Sequence, residues 1–324
     1  MEILMFQRDL CRGIMLSIPN IPATVVRFIC DYFTFVHESQ FVYQFPVSAA
    51  ARSTCVMRLD TCAAQVKWTR LPDMPTARFS CSTAITNQCC IVMCDAYYHK
   101  QISTTRVDSY DTVAGRWTSL APLPNVRHAF ATVLCGESIY VVGGWNASKA
   151  GYMYNPTISR WSLIPAMHTE RRYCAAISHD NKIYVMGGQT IDDVQCILAS
   201  CECFDPNTQT WTSLEAMDAP RCKAPCVVIP DVDDCGSSCI AILGGYIGDR
   251  IGVCSSVQLY SVKTNKWRTA SWSLPKKLYD SRAQWTARGL IVYGGFDAHC
   301  CRSHQCYLLD LQTGMWLALA DIPI

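Results

Sequence analysis

The chain has 324 residues, 17% of them charged and 50% apolar, with a formal net charge of +2. That length supplies one large domain, or one domain of roughly 200–280 residues with a small appendage. The apolar fraction excludes a disordered chain, the near-zero charge without a basic run leaves nucleic-acid binding unsupported, and no apolar stretch reaches the roughly 18 residues of a membrane span.

At the N-terminus, MEILMFQRDLCRG places charge where a signal peptide needs an apolar core, so a cytoplasmic or nuclear chain with reduced cysteines is expected. Two amphipathic helical patterns follow. Phe6, Leu10, Ile14 and Ile18 share one face before Pro19. Val25, Val26, Ile29, Cys30, Phe33 and Val36 share another. The run Asp9-Leu10, Ile14-Met15, Ile18-Pro19, then Val26, Cys30 and Phe33, resembles an F-box, with Pro19 and Cys30 eleven residues apart. Gln7 and Gln40 stand where the family has prolines, and Gly13 weakens the first helix. A competing reading takes Glu38–Phe45, ESQFVYQF, as a worn copy of ESIYVVGG at 137–144. The F-box reading accounts for both helical patterns and the proline, and assigns residues 1–45 to a helical segment.

From about residue 50 the chain repeats. Gly143-Gly144, Gly187-Gly188, Gly244-Gly245 and Gly294-Gly295 end runs rich in β-branched and aromatic residues. Trp161, Trp211, Trp267 and Trp316 follow 18 to 24 residues after them, and Trp68 and Trp117 mark two earlier copies. Seven residues before five of the tryptophans stand Tyr110, Tyr154, Phe204, Tyr260 and Leu309. Segments such as MYNPTISRW read as strand, tight turn, strand. Ten residues after each Trp stands Arg78, Arg127, Arg171 or Arg221, and Arg282, fifteen after Trp267, reads as the fifth of this set behind an insertion near Lys276-Lys277. The unit is 44 to 57 residues of four short strands. It is similar to the kelch repeat, which implies a mainly β fold: a β-propeller of five to six four-stranded blades over residues 46–324. The glycines would allow close approach of blades and the tryptophans would fill the seams between them. The first copy shows only its outer strands, around 54–70.

The 21 cysteines are an odd number, and most lie in or beside expected strands, as Cys135, Cys174, Cys203 and Cys306 do, where a small apolar filler is expected. Two groupings, Cys222/Cys226/Cys235/Cys239 and His299/Cys300/Cys301/His304/Cys306, lack the C-x2-C spacing of an easy zinc site, so no metal is expected. Asp192-Asp193 and Asp233-Asp234 fall in expected loops. No phosphate loop or nucleophile elbow occurs, so neither catalytic residues nor a cofactor are expected.

Together the two modules resemble F-box/kelch-repeat proteins. The resemblance implies a non-enzymatic substrate-recognition subunit of an SCF-type ubiquitin ligase. Leu10, Ile14, Ile18, Pro19, Val26, Ile29, Cys30 and Phe33 would face a Skp adaptor, itself joined to a cullin. The propeller loops after the Gly-Gly and Trp strands would hold an unknown target protein, with Tyr97, Tyr98, Trp145, Asn146, Tyr246, Arg250, Phe296 and His299 as candidate contacts. A kelch scaffold for actin or a signalling protein is the alternative reading, and a propeller metalloenzyme the third.

Overall fold

The computed structural model describes residues 41–44, 54–61, 66–78, 81–86, 89–93, 105–145, 149–190, 196–231, 237–248, 252–310 and 313–323. The whole of the proposed adaptor-binding set, Leu10 to Phe33, lies outside them.

The described residues form six antiparallel sheets. The first has three strands, β1 (Phe41–Gln44), β2 (Val56–Asp60) and β3 (Trp68–Leu71). The other five have four strands each, in chain order. The second holds β4 (Ser82–Ile85), β5 (Cys89–Met93), β6 (Val107–Asp111) and β7 (Arg116–Leu120). The third holds β8 (Ala131–Cys135), β9 (Ser138–Val142), β10 (Gly151–Asn155) and β11 (Arg160–Ile164). The fourth holds β12 (Ala175–His179), β13 (Lys182–Met186), β14 (Cys201–Asp205) and β15 (Thr210–Leu214). The fifth holds β16 (Cys226–Pro230), β17 (Ser238–Leu243), β18 (Val257–Ser261) and β19 (Lys266–Thr269). The sixth holds β20 (Arg282–Thr286), β21 (Gly289–Tyr293), β22 (Cys306–Asp310) and β23 (Met315–Ala318).

The sheets are blades of a closed ring. The second strand of a blade is covered on both faces, so Ile139–Val142 and Ile183–Met186 are unbroken apolar runs and fully buried. The outer strand is covered on one side only, and β11 and β15 accordingly keep one Trp inward among exposed neighbours. Each seam has its own apolar cluster: Ala84, Val107, Leu123, Ile139 and Val141 between the second and third blades, Val142, Ile164, Val185 and Phe204 between the third and fourth. The last seam joins Val42, Leu59 and Trp68 of the first blade to Ile291, Tyr293 and Leu308 of the sixth.

The repeat residues have matching roles. Trp117, Trp161, Trp211 and Trp267 each face an aromatic partner across one strand pair, as Tyr154 and Trp161 do with ring centroids 5.0 Å apart, whereas Trp68 and Trp316 face Leu59 and Leu309. Each indole N–H crosses the seam to a carbonyl of the preceding blade. Trp117 donates to Pro72, Trp161 to Ala121, Trp211 to Pro165, Trp267 to Glu215 and Trp316 to Ser273. Trp68 donates to Ala320 and closes the circle.

The buried arginines are spokes within a blade. Arg171 Nη1 donates to the Gly187 and Ser200 carbonyls at 2.8 and 2.9 Å, and Arg221 repeats this with Gly244 and Ser256. A carboxylate balances two of them: Asp108 pairs with Arg78, and Glu202 with Arg171 at 2.7 Å. Gly187 must be glycine, because its φ is +61° and an added Cβ would sit 2.3 Å from the Arg221 carbonyl oxygen of the next blade.

Three expectations need correction. Phe41–Gln44 pair in register with Met57–Asp60, so the propeller takes in residues assigned to the 1–45 helical segment, and the competing worn-repeat reading holds for this stretch. Its alignment is two residues off, since Val42, not Gln40, occupies the place of Ile139 opposite the aromatic strand. The first blade therefore shows three strands rather than an outer pair. Finally, Leu278, not Arg282, fills the spoke position of the sixth blade: the amide of Gly245 donates to its carbonyl as Gly188 does to Arg221. Arg282 lies four residues further on, in β20, and reaches the Cys81 carbonyl beside the second blade's inner strand.

Candidate interaction face at the channel mouth

Antiparallel blades place the first-to-second and third-to-fourth strand turns at one end of the ring. The Gly-Gly loops and the connections between blades share the other end. The two kinds of loop at that second end are stitched together within each of the third to sixth blades. Arg172 bridges to Gln189, Cys222 to Tyr246 and Tyr279 to Phe296, and Trp145 donates its amide to the His128 carbonyl.

The next residue in each case, Ala129, Tyr173, Lys223 or Asp280, adopts a left-handed conformation with φ between 52° and 57°. These four are chained across blades: the amide of Tyr173 donates to Ala129, that of Lys223 to Tyr173 and that of Asp280 to Lys223, at 2.8, 2.9 and 2.8 Å. The strained backbone is thus fixed by these bonds, on both sides at Tyr173 and Lys223 and on one side at Ala129 and Asp280, and Tyr173, Lys223 and Asp280 line the mouth of the central channel. The channel cavity is about 320 Å³ and includes His128, Tyr173, Lys223 and Asp280 in its lining.

The result is a ridge in which aromatic rings and cations alternate over four blades. His128 stacks on Trp145 with centroids 5.7 Å apart. The Arg172 guanidinium lies 4.3 Å over the Trp145 ring and 5.6 Å from Tyr173. The Lys223 ammonium lies 4.6 Å over Tyr173 and 5.3 Å from Tyr279, which stacks on Phe296. Each such contact is worth about 0.5–1 kcal/mol at a partly exposed site. Burial holds the His128 imidazole below its ordinary pKa, and the positive charge of Arg172 adds to this. Burial raises the Asp280 carboxyl, opposed by Lys223 and Arg282. The ridge therefore offers flat apolar rings held by fixed cations, a surface suited to anchoring a protein partner.

Of the candidate contacts expected from sequence, Trp145 and Phe296 form the two ends of the ridge. Tyr246 lies half-buried in its bridge to Cys222, and His299 is exposed farther out on the sixth blade's loop, where Asp297 accepts its amide hydrogen. Tyr97, Tyr98, Asn146 and Arg250 lie outside the described residues. The sequence reading missed Arg172, Tyr173, Lys223 and Tyr279, although each follows the spoke position by one or two residues. Among the described residues no group of three or more His, Cys, Asp or Glu could hold a metal ion. Cys135, Cys203 and Cys306 are buried fillers, with burial raising Cys203 to about 11 and Cys306 to about 12.

Residues 127–168 and 170–217 match the kelch motif. The chain is a β-propeller with kelch repeats. It is 28% identical over 247 residues to the Kelch-like protein terF of Aspergillus terreus, covering 69% of this chain and 51% of that one. It is 29% identical to Kelch-like protein 23 of Mus musculus, over 62% of this chain and 34% of the relative. An F-box/kelch-repeat protein of Arabidopsis thaliana is 25% identical over 48% of this chain and 38% of its own. The chain thus spans about half or less of these relatives. The solved structure of YjhT superposes with a TM-score of 0.70 at 15% identity, over 87% of this kelch chain and 95% of YjhT, and shares the fold.

Proposed function

We propose that this kelch-repeat chain is the substrate-recognition subunit of an SCF-type ubiquitin ligase. The target protein docks on the ridge at the channel mouth, and the N-terminal segment docks through Leu10, Ile14 and Ile18 on a Skp adaptor joined to a cullin. The kelch motifs and kelch-like relatives support the broader role, a non-enzymatic protein-interaction scaffold. The observation that carries it is the ridge itself, whose rings and cations are held in place by backbone bonds between blades. The ligase assignment rests on the F-box-like apolar pattern and on the F-box in the printed name of the Arabidopsis relative. In this role the chain makes no bonds; it holds the target beside a conjugating enzyme and raises its effective concentration.

A pull-down with purified Skp adaptor tests the assignment. The intact chain should capture the adaptor and Ile18→Asp should not. No capture by the intact chain leaves the second reading, a kelch scaffold without a ligase role. That reading draws on the pairing of Phe41–Gln44 into the propeller, which removes the last residues of the F-box-like segment.

A further inference from the structure

On the reading of the ridge as the target's docking face, on which this rests, we propose that the ridge takes an acidic segment of the target protein. One carboxylate pairs with the Arg172 guanidinium and a second with the Lys223 ammonium.

The other buried arginines are satisfied by the ring itself. Arg171, the preceding residue, donates to two carbonyls and pairs with Glu202. Arg78 pairs with Asp108, Arg127 donates to Asn125 and to two carbonyls, and Arg221 donates to two carbonyls. Arg172 is only 7% exposed, yet its side chain enters no hydrogen bond or ion pair among the described residues, and its Nε is buried without an acceptor. Its contacts are the Trp145 ring at 4.3 Å and the Tyr173 ring at 5.6 Å. Asp280, the acid that lines the channel mouth, acts on Lys223 and Arg282 rather than on Arg172.

A cation taken out of water is costly unless an anion meets it. Every spoke arginine obeys this rule and Arg172 breaks it, as a binding residue does when its partner comes from outside the fold. The chemistry of that partner follows from the donors. Aromatic rings attract the guanidinium through its charge, but its in-plane N–H groups match the two oxygens of a carboxylate. Lys223 supplies the second charge. Its ammonium lies 4.6 Å over the same Tyr173 ring, and among the described residues no carboxylate comes within ion-pair distance of it. Two cations against one ring suit two acidic side chains roughly 7 Å apart, as they stand two residues apart along an extended peptide.

Random peptides displayed on phage and selected on the intact chain test this without involving the adaptor. The selected set should be enriched in Asp and Glu. Arg172→Gln should weaken a selected acidic peptide by at least about tenfold, and an amide copy of that peptide should bind the intact chain and Arg172→Gln equally. Lys223→Gln, at a half-buried site, should weaken the acidic peptide in the same direction and keeps the test open if Arg172→Gln does not fold. Selected peptides without an acidic excess overturn the anion site and leave the ridge as a docking face for uncharged segments. So does an acidic peptide that the intact chain and both variants hold equally. A selection that yields no peptide overturns it as well.

Discussion

The indole nitrogen of Trp68 donates to the carbonyl of Ala320 at 3.1 Å across 252 residues of sequence. Five equivalent bonds join consecutive blades, but this one joins the first blade to the last and converts a row of sheets into a ring. Trp68→Phe keeps most of the packing and removes the bond. It should cost about 1–2 kcal/mol in urea denaturation and open proteolytic cleavage first at the seam of the first and sixth blades. Trp161→Phe, at an internal seam, should lose similar stability without localising cleavage there.

Arg171 and Glu202 are buried together, so removing one strands the other. Arg171→Leu should destabilise by about 3–5 kcal/mol, and the double change with Glu202→Leu should recover much of this. Burial alone would raise Glu202, but Arg171 and the His168 and Thr169 amides hold it below its ordinary value. Its stabilising contribution is therefore complete above the unfolded carboxylate pKa, about 4.3, and is lost as pH falls through the folded value. Glu202→Gln should flatten that acid limb in pH-dependent unfolding.

The two kinds of positive-φ glycine should respond differently. Gly187→Ala drives a Cβ into the Arg221 carbonyl and should cost more than about 2 kcal/mol. Gly136, in a turn with φ +59° and open space around its missing Cβ, should accept Asn within about 0.5 kcal/mol. Paired thermal melts check both.

The ridge couples Arg172 to His128. Arg172→Ala removes the second cause of the lowered His128 pKa and leaves burial in place, so the imidazole should titrate higher, though still below its ordinary value, in an NMR pH series. An unchanged titration would mean the two groups are not coupled. Because its pKa is lower in the fold than in the unfolded chain, His128 contributes stability that is complete above the unfolded pKa, about 6.5, and is lost as pH falls through the folded value; the variant should lose less.

The propeller was legible because Gly-Gly, Trp and Arg each answer a demand repeated at every seam. Legibility failed where one residue of the pattern was replaced. Leu278 fills the spoke site apolarly, and spacing then drew the eye to Arg282. Pro46-Val47 stand where the first blade would have its glycines, which hid β1 beneath a helical reading. The ridge was half legible. Trp145 and Phe296 follow Gly-Gly pairs, but Tyr173, Lys223 and Asp280 share only a backbone conformation, which a sequence shows poorly when the side chains differ.

This end of the ring is the proposed binding face. Quantitative mass spectrometry should compare proteins captured by the intact chain, by Arg172→Ala/Lys223→Ala, and by a control, Val113→Asp/Ile158→Asp, whose exposed side chains lie in turns at the opposite end. Partners held by the intact chain and the control should be lost from the ridge variant. An identical set of partners for the ridge variant would rule out this end of the ring as the binding face.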